Sequence, residues 1–301
     1  MKLEPARETG CSLPPGRRVM LPGSKRNLMP PTEKSYKNLN FLTSPFGRSI
    51  RILCEYEEPQ ARFHEQAVRD TIVIFGSARI RPPEQAQLDL EDAEANLANA
   101  ATDIARTHAE RALAQARRQH RISRYYQDTR DLARRLTEWS MARERRYLVC
   151  SGGGPGIMEA ANRGAADVEH GRSVGLGISL PFEEQVNRYV TPELAFEFHY
   201  FFMRKYWFAY LAKAMVVMPG GFGTCDEMFE ILTLRQPGKI KKRLPMVLFG
   251  KEYWNSIFNL DAMVEWGTIN EKDLLLMHMT DSVDDAFHFL THELEMSENR
   301  K

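Results

Sequence analysis

Residues 214–232 read Ala214-Met215-Val216-Val217-Met218-Pro219-Gly220-Gly221-Phe222-Gly223-Thr224-Cys225-Asp226-Glu227-Met228-Phe229-Glu230-Ile231-Leu232. An apolar, β-branched run passes through a glycine turn into a segment with helical composition, which is the strand–turn–helix unit of an α/β protein. Glycines let the backbone turn its N–H groups toward a ligand, and a helix N-terminus adds positive potential, so the turn reads as a phosphate cradle. The Thr224 hydroxyl adds a further donor. A turn that merely joins strand to helix accounts for one or two glycines, but not for three together with Thr224 and a first-turn Glu227.

Outward from this unit, short apolar runs at 71–75, 147–150, 174–178, 214–218 and 245–249 alternate with helical segments. The pattern predicts an α/β fold, a Rossmann-like open parallel sheet with helices on both faces. Three of these runs lead into glycine: Phe75-Gly76-Ser77, Cys150-Ser151-Gly152-Gly153-Gly154 and Met218-Pro219-Gly220-Gly221. Ligands of such sheets bind at the carboxyl ends of the strands, so the three turns should converge on one crevice. The second turn is not a dinucleotide fingerprint, because Gly152-x-Gly154 is followed by Ile157 and Gly154-x-Gly156 by Glu159 where the third glycine belongs. No Gly-x-x-x-x-Gly-Lys-Ser/Thr loop occurs either.

The two glycine segments, with Phe202-Met203-Arg204-Lys205 ahead of the second, closely resemble the Lonely Guy family of nucleoside 5′-monophosphate phosphoribohydrolases, proteins often labelled lysine decarboxylases. Its hallmark, Pro-Gly-Gly-x-Gly-Thr-x-x-Glu preceded by an Arg-Lys pair, is present at Arg204-Lys205 and 219–227. The resemblance runs from about residue 71 to 290, apart from an insertion. It implies hydrolysis of the N-glycosidic bond of a purine nucleoside 5′-monophosphate, giving free base and ribose 5-phosphate without a cofactor. It further implies Arg204 and Glu227 as the catalytic pair, and Gly220, Gly221, Gly223 and Thr224 on the 5′-phosphate. Ser77, Arg79, Gly153, Gly154, Met158 and Met203 are further candidate substrate contacts. Many members have Met-His-Glu-Arg-Lys where this chain has Phe201-Phe202-Met203-Arg204-Lys205. That departure bears on the base pocket, which is expected to accept AMP or GMP in general rather than the isopentenyl-adenine nucleotides of cytokinin activation. A reading from a different class is a non-catalytic nucleotide or molybdenum-cofactor carrier on the same fold. A carrier has no need of a carboxylate at the glycosidic bond, so Arg204 with Glu227 favours the enzyme.

The rest of the chain sets bounds. Lys and Arg number 41 against 40 Asp and Glu, so no global charge calls for nucleic acid or an anionic membrane, and anion binding must be local. Cys11, Cys54, Cys150 and Cys225 form no Cys-x-x-Cys pair, no apolar run spans a bilayer and no secretion signal opens the chain, which suits a cytoplasmic enzyme. Cys225 reads as a packing residue. His288 and His292 stand four apart on a helix but lack the Glu of a His-Glu-x-x-His site, so no metal is expected.

Residues 1–65 read as an N-terminal extension, its first forty or so carrying six prolines and the basic pairs Arg17-Arg18 and Lys25-Arg26 without apolar periodicity. Residues 66–301 form the catalytic domain, with a helical insertion at 84–121. The insertion reads as one long helix on which Leu90, Leu97 and Ile104 recur every seven residues. This seam would pack on the same helix of another subunit, making a homo-oligomer, or on an apolar face at Leu132, Leu136 and Trp139. The aromatic cluster between Phe196 and Tyr210 is too dense to be anything but largely core or interface.

Overall fold

The computed structural model describes residues 32–143, 146–179, 186–239 and 242–299; the basic pairs and the prolines up to Pro31 lie outside them. The described residues divide between Gly47 and Arg48 into two units. The described part of the first holds a short helix, α1 (Leu39–Thr43), capped by Asn38, whose side chain accepts the Phe41 N–H at 3.0 Å.

The second unit begins with α2 (Arg48–Glu65), which the sequence reading placed in the extension. It continues through β1 (Asp70–Phe75), α3 (Pro83–Ala98), α4 (Asp103–Met141), β2 (Tyr147–Ser151), α5 (Ile157–Ala166), β3 (Ser173–Ile178) and β4 (Ala195–Phe198). Next come α6 (Phe201–Leu211), β5 (Ala212–Val217), α7 (Phe222–Arg235), β6 (Met246–Phe249), α8 (Lys251–Ile257), α9 (Leu260–Glu265), α10 (Glu271–Leu274), β7 (His278–Thr280) and α11 (Val283–Glu298). Among the described residues the strands form one seven-stranded sheet in the order β4-β3-β2-β1-β5-β6-β7, every pairing parallel. The fold is α/β and Rossmann-like.

The sheet is buried on both faces, which is why its central strands read as unbroken apolar runs rather than as alternations. All six residues of β1 are buried, yet they divide between two cores. Val73 and Phe75 pack with Met215 and Val217 under Trp207 and Phe208 of α6. Ile72 and Ile74 pack with Ala214 and Val216 under α4, α5 and α11, through Leu132, Ile157 and Leu290. Successive side chains on a strand point to opposite faces, so one apolar run supplies both layers.

The insertion departs from the expected single helix. Asn99 ends α3, and Thr102 starts α4 by accepting the Ala105 N–H on its side chain at 3.2 Å. The chain reverses between them. Leu90, Ala93 and Leu97 then pack on Leu113 and Ala116 of α4, while Ile104, beyond the turn, is 75% exposed. The seam joins two helices of one chain. α4 runs on for 39 residues to Met141, so the face at Leu132 and Leu136 belongs to the same helix and covers the sheet. Among the described residues no helix is long and apolar enough to cross a membrane.

Candidate functional site

β1 lies at the centre of the strand order, flanked by β2 on one side and β5 on the other. The chain lays β2, β3 and β4 outward from β1, then returns through α6 to place β5 on its opposite flank. That reversal opens a crevice at the carboxyl ends of β1 and β5. Backbone bonds stitch the turns there: the Ser77 N–H donates to the Pro219 carbonyl at 3.0 Å, and the Ile157 N–H to the Ser77 carbonyl at 3.1 Å. Gly156 makes the second contact possible. Its φ is +70°, and a Cβ there would collide with the Ser77 carbonyl oxygen.

The crevice is a cavity of about 930 Å³, within the range of about 300–1,000 Å³ usual for small-molecule sites. Ser77, Arg79, Met158, Arg204, Gly220, Gly221, Gly223, Thr224 and Glu227 all line it. Three candidates do not. Gly153 and Gly154 turn their carbonyls to the Asn187 side-chain amide, at 2.8 and 3.0 Å, and only their neighbour Gly152 reaches the lining. Met203 sits in the core: Met203, Trp207 and Leu211, four residues apart, form the buried stripe of α6, and Arg204, one residue on, swings out of that stripe.

α7 starts immediately after Gly221, and its first intrahelical bond runs from the Cys225 N–H to the Gly221 carbonyl at 3.0 Å. The N–H groups of Phe222, Gly223 and Thr224 are therefore left for a ligand, as the leading amides of any helix are. A Cβ added at Gly221 or Gly223 would meet nothing within 4 Å, so both backbone positions are open to close approach. The Tyr253 hydroxyl of α8 donates to the Gly220 carbonyl at 2.7 Å and fixes the turn.

Glu227 stands one turn further along α7 and is only 5% exposed. From α6, the Arg204 Nη2 lies 3.8 Å from its Oε1 and the Lys205 Nζ 3.9 Å from its Oε2; Lys205 also pairs with Asp226 and Glu230, each at 2.7 Å. Burial raises the Glu227 carboxyl to about 7. Lys205 and Arg204 pull it down, Glu230 and Asp226 push it up, and burial outweighs both cations. A carboxyl poised near neutrality can exist in either protonation state at physiological pH. Arg204 is steadied between the Phe201 and Phe208 rings, 5.3 and 5.7 Å from their centroids. Phe208, Phe229 and Tyr253 extend an aromatic wall suited to a planar base.

Sequence reasoning did not single out Tyr253, Phe229 or the bracing role of Lys205. Tyr253 was within reach, since β6 neighbours β5 and whatever follows its carboxyl end must border the same crevice. Cys225 also lines the cavity, with burial raising its thiol pKa. His288 and His292 lie on α11, and among the described residues no three potential metal ligands come together. A second cavity of about 610 Å³, bounded by Asn255, Asn259, Asp261 and Met279 among others, offers no basic side chain for a phosphate.

None of the curated proteins compared matches the chain. A family model described as possible lysine decarboxylase matches residues 158–290, the stretch from Met158 past Arg204 and the 219–227 motif to α11. The model of the Lonely Guy family domain is thus found on residues 158–290, and the sheet they contribute to is completed by β1 and β2 from outside the matched segment.

Proposed function

We propose that the protein hydrolyses the N-glycosidic bond of a purine nucleoside 5′-monophosphate, releasing the free base and ribose 5-phosphate. The observation that carries this reading is a buried carboxyl, Glu227, poised near neutrality one helical turn from a set of backbone amides open to a phosphate. With the 5′-phosphate on the N–H groups of 222–224, the ribose falls beside Glu227 and the base against the aromatic wall. As the bond from C1′ to the base nitrogen lengthens, its electron pair leaves with the base and positive charge builds on the ribose. Ionised Glu227 meets that charge, while water attacks C1′ and the departing nitrogen takes up a proton. Arg204 and Lys205 favour the ionised carboxylate against its burial and aim it, and the phosphate contacts supply binding energy remote from the reacting bond.

The test is a panel of monophosphates and matching nucleosides, with free base read by chromatography. AMP or GMP should be cleaved and adenosine or guanosine left intact. Glu227→Gln should bind AMP about as tightly as the parent in calorimetry, yet release base at least ~100-fold more slowly. Full activity in Glu227→Gln removes the assignment of this residue, and AMP binding without release of base by the parent turns the reading to a nucleotide carrier.

A further inference from the structure

Arg204 owes its position to α6, yet no side chain of its own caps the start of that helix at Tyr200. The partner comes from α2. The Glu55 carboxylate accepts the His199 N–H at 2.8 Å on one oxygen and the Tyr200 N–H at 3.2 Å on the other. The Glu55 backbone carbonyl accepts the Trp207 indole N–H at 3.0 Å, so one residue of α2 grips both the entry and the middle of α6. At the far end, the Lys242 ammonium donates to the carbonyls of Ala209 and Tyr210, at 2.6 and 3.1 Å. An anion at the N-terminus and a cation at the C-terminus both complement the helix dipole. Glu55 lies outside the family-matched segment and outside the cavity lining.

We infer that Glu55 is a positioning residue, which fixes the first turn of α6 and so sets the Arg204 guanidinium against Glu227. Glu55 holds the amides of His199 and Tyr200, the N-cap and the residue before it, and Arg204, four residues beyond Tyr200, donates its own N–H to the Tyr200 carbonyl at 3.3 Å, so any shift of the N-cap moves the guanidinium. The Arg204 guanidinium lies 3.8 Å from Glu227, and the attraction between the two weakens as that separation grows.

The sign of the effect separates positioning from field. Removing the Glu55 charge alone makes the surroundings less negative and should lower the Glu227 titration. Displacing Arg204 should raise it. Glu227 is faced by Arg204 and Lys205 of α6 and by Asp226 and Glu230 of its own helix, and of these only the α6 cations move with Glu55. α2 stays docked in a Glu55 variant through Tyr56 against Tyr206 and Phe63 against Trp207, ring centroids 5.5 and 5.4 Å apart.

The experiment is a carbon-detected NMR titration of the glutamate carboxyl groups, with Glu227 assigned from Glu227→Gln. It compares the parent, Glu55→Ala, Glu55→Gln and, as a control of equal charge on the same helix, Glu57→Ala. The Glu227 midpoint should rise by about half a unit or more in Glu55→Ala, rise less in Glu55→Gln, which keeps one acceptor oxygen, and not rise in Glu57→Ala. The His199 and Tyr200 amides should exchange faster in Glu55→Ala. If the Glu227 midpoint stays or falls in Glu55→Ala, or rises equally in Glu57→Ala, the inference is overturned. A kinetic arm rests on the hydrolase reading: kcat on AMP should drop about tenfold in Glu55→Ala, with KM changed far less and the acidic limb moved to higher pH. A parent that releases no base defeats the hydrolase reading, and the titration still decides the role of Glu55.

Discussion

Glu227 is placed where a carboxylate is poorly tolerated, and this has a consequence for stability that is independent of any substrate. Burial raises its folded-state pKa to about 7 from an ordinary value of 4.5. A carboxyl whose folded value lies above its unfolded one destabilises the fold by ionising. The penalty is absent below about pH 4.5, grows between 4.5 and 7, and is complete above that. Glu227→Gln should therefore unfold at higher denaturant than the parent at pH 8, by on the order of 2–3 kcal/mol, and with the same midpoint as the parent near pH 4. Equal midpoints at pH 8 would mean that Arg204 and Lys205 fully compensate the burial. At this scale the lining of the candidate site was legible wherever a local motif carries it: Arg204, Glu227 and the glycines at 220, 221 and 223 come from two short stretches and meet at one cavity. Met203, Gly153 and Gly154 lie off the cavity lining, because adjacency in sequence to a lining residue says nothing about which way a helix or turn points its neighbour. Glu55 was invisible for the complementary reason, since it meets His199 and Tyr200 only through the fold.

The elements most exposed to misreading are those whose pattern continues across a break. Leu90, Leu97 and Ile104 keep a seven-residue spacing through the α3–α4 turn, and that spacing outvoted the local evidence of Asn99 and of Thr102-Asp103, a cap followed by an acidic first turn. β4 and β7 were missed because strands of four and three residues at the sheet edges carry too few positions for any period to show. The hairpin of α3 with the first half of α4 is held by a small cluster in which Ala93, Leu113 and Ala116 are the buried residues, flanked by Leu90 and Leu97. So thin a core should open more readily than the sheet. Amide exchange across α3 and the first half of α4 should be faster than across β1, and Leu97→Ser should speed it further while leaving β1 unchanged. Protection of the hairpin equal to that of β1 would show that another surface, such as a second copy of the chain, covers it.

For the molecule as a whole, the decisive fact is that the proposed phosphate cradle and the turn after β1 are joined at the middle of the sheet. Ser77 reaches Pro219, Met218 reaches Phe75 at 2.8 Å, and the cavity draws its walls from the carboxyl ends of β1, β2, β3, β5 and β6. This convergence is legible in the sequence, because parallel strands connected by helices place every strand-to-helix turn at the same end of the sheet. A ligand seated there contacts both halves of the sheet, and one that binds only the folded form stabilises it by mass action, by about 2.7 kcal/mol at one hundred times its dissociation constant. For a unit of this size that corresponds to a rise in melting temperature of roughly 5–10 °C. AMP at saturating concentration should raise the melting temperature of the sheet unit by this much. Ribose 5-phosphate should raise it by less, because it leaves the aromatic wall uncovered, and adenosine should scarcely raise it at all, because the helix N-terminus at 222–224 then has no anion. The comparison is best made in Glu227→Gln, where slow turnover keeps AMP intact through the scan. Equal shifts from adenosine and AMP would place the binding energy in the aromatic wall rather than in the glycine turn, and the phosphate assignment of Gly220, Gly221, Gly223 and Thr224 would have to be given up.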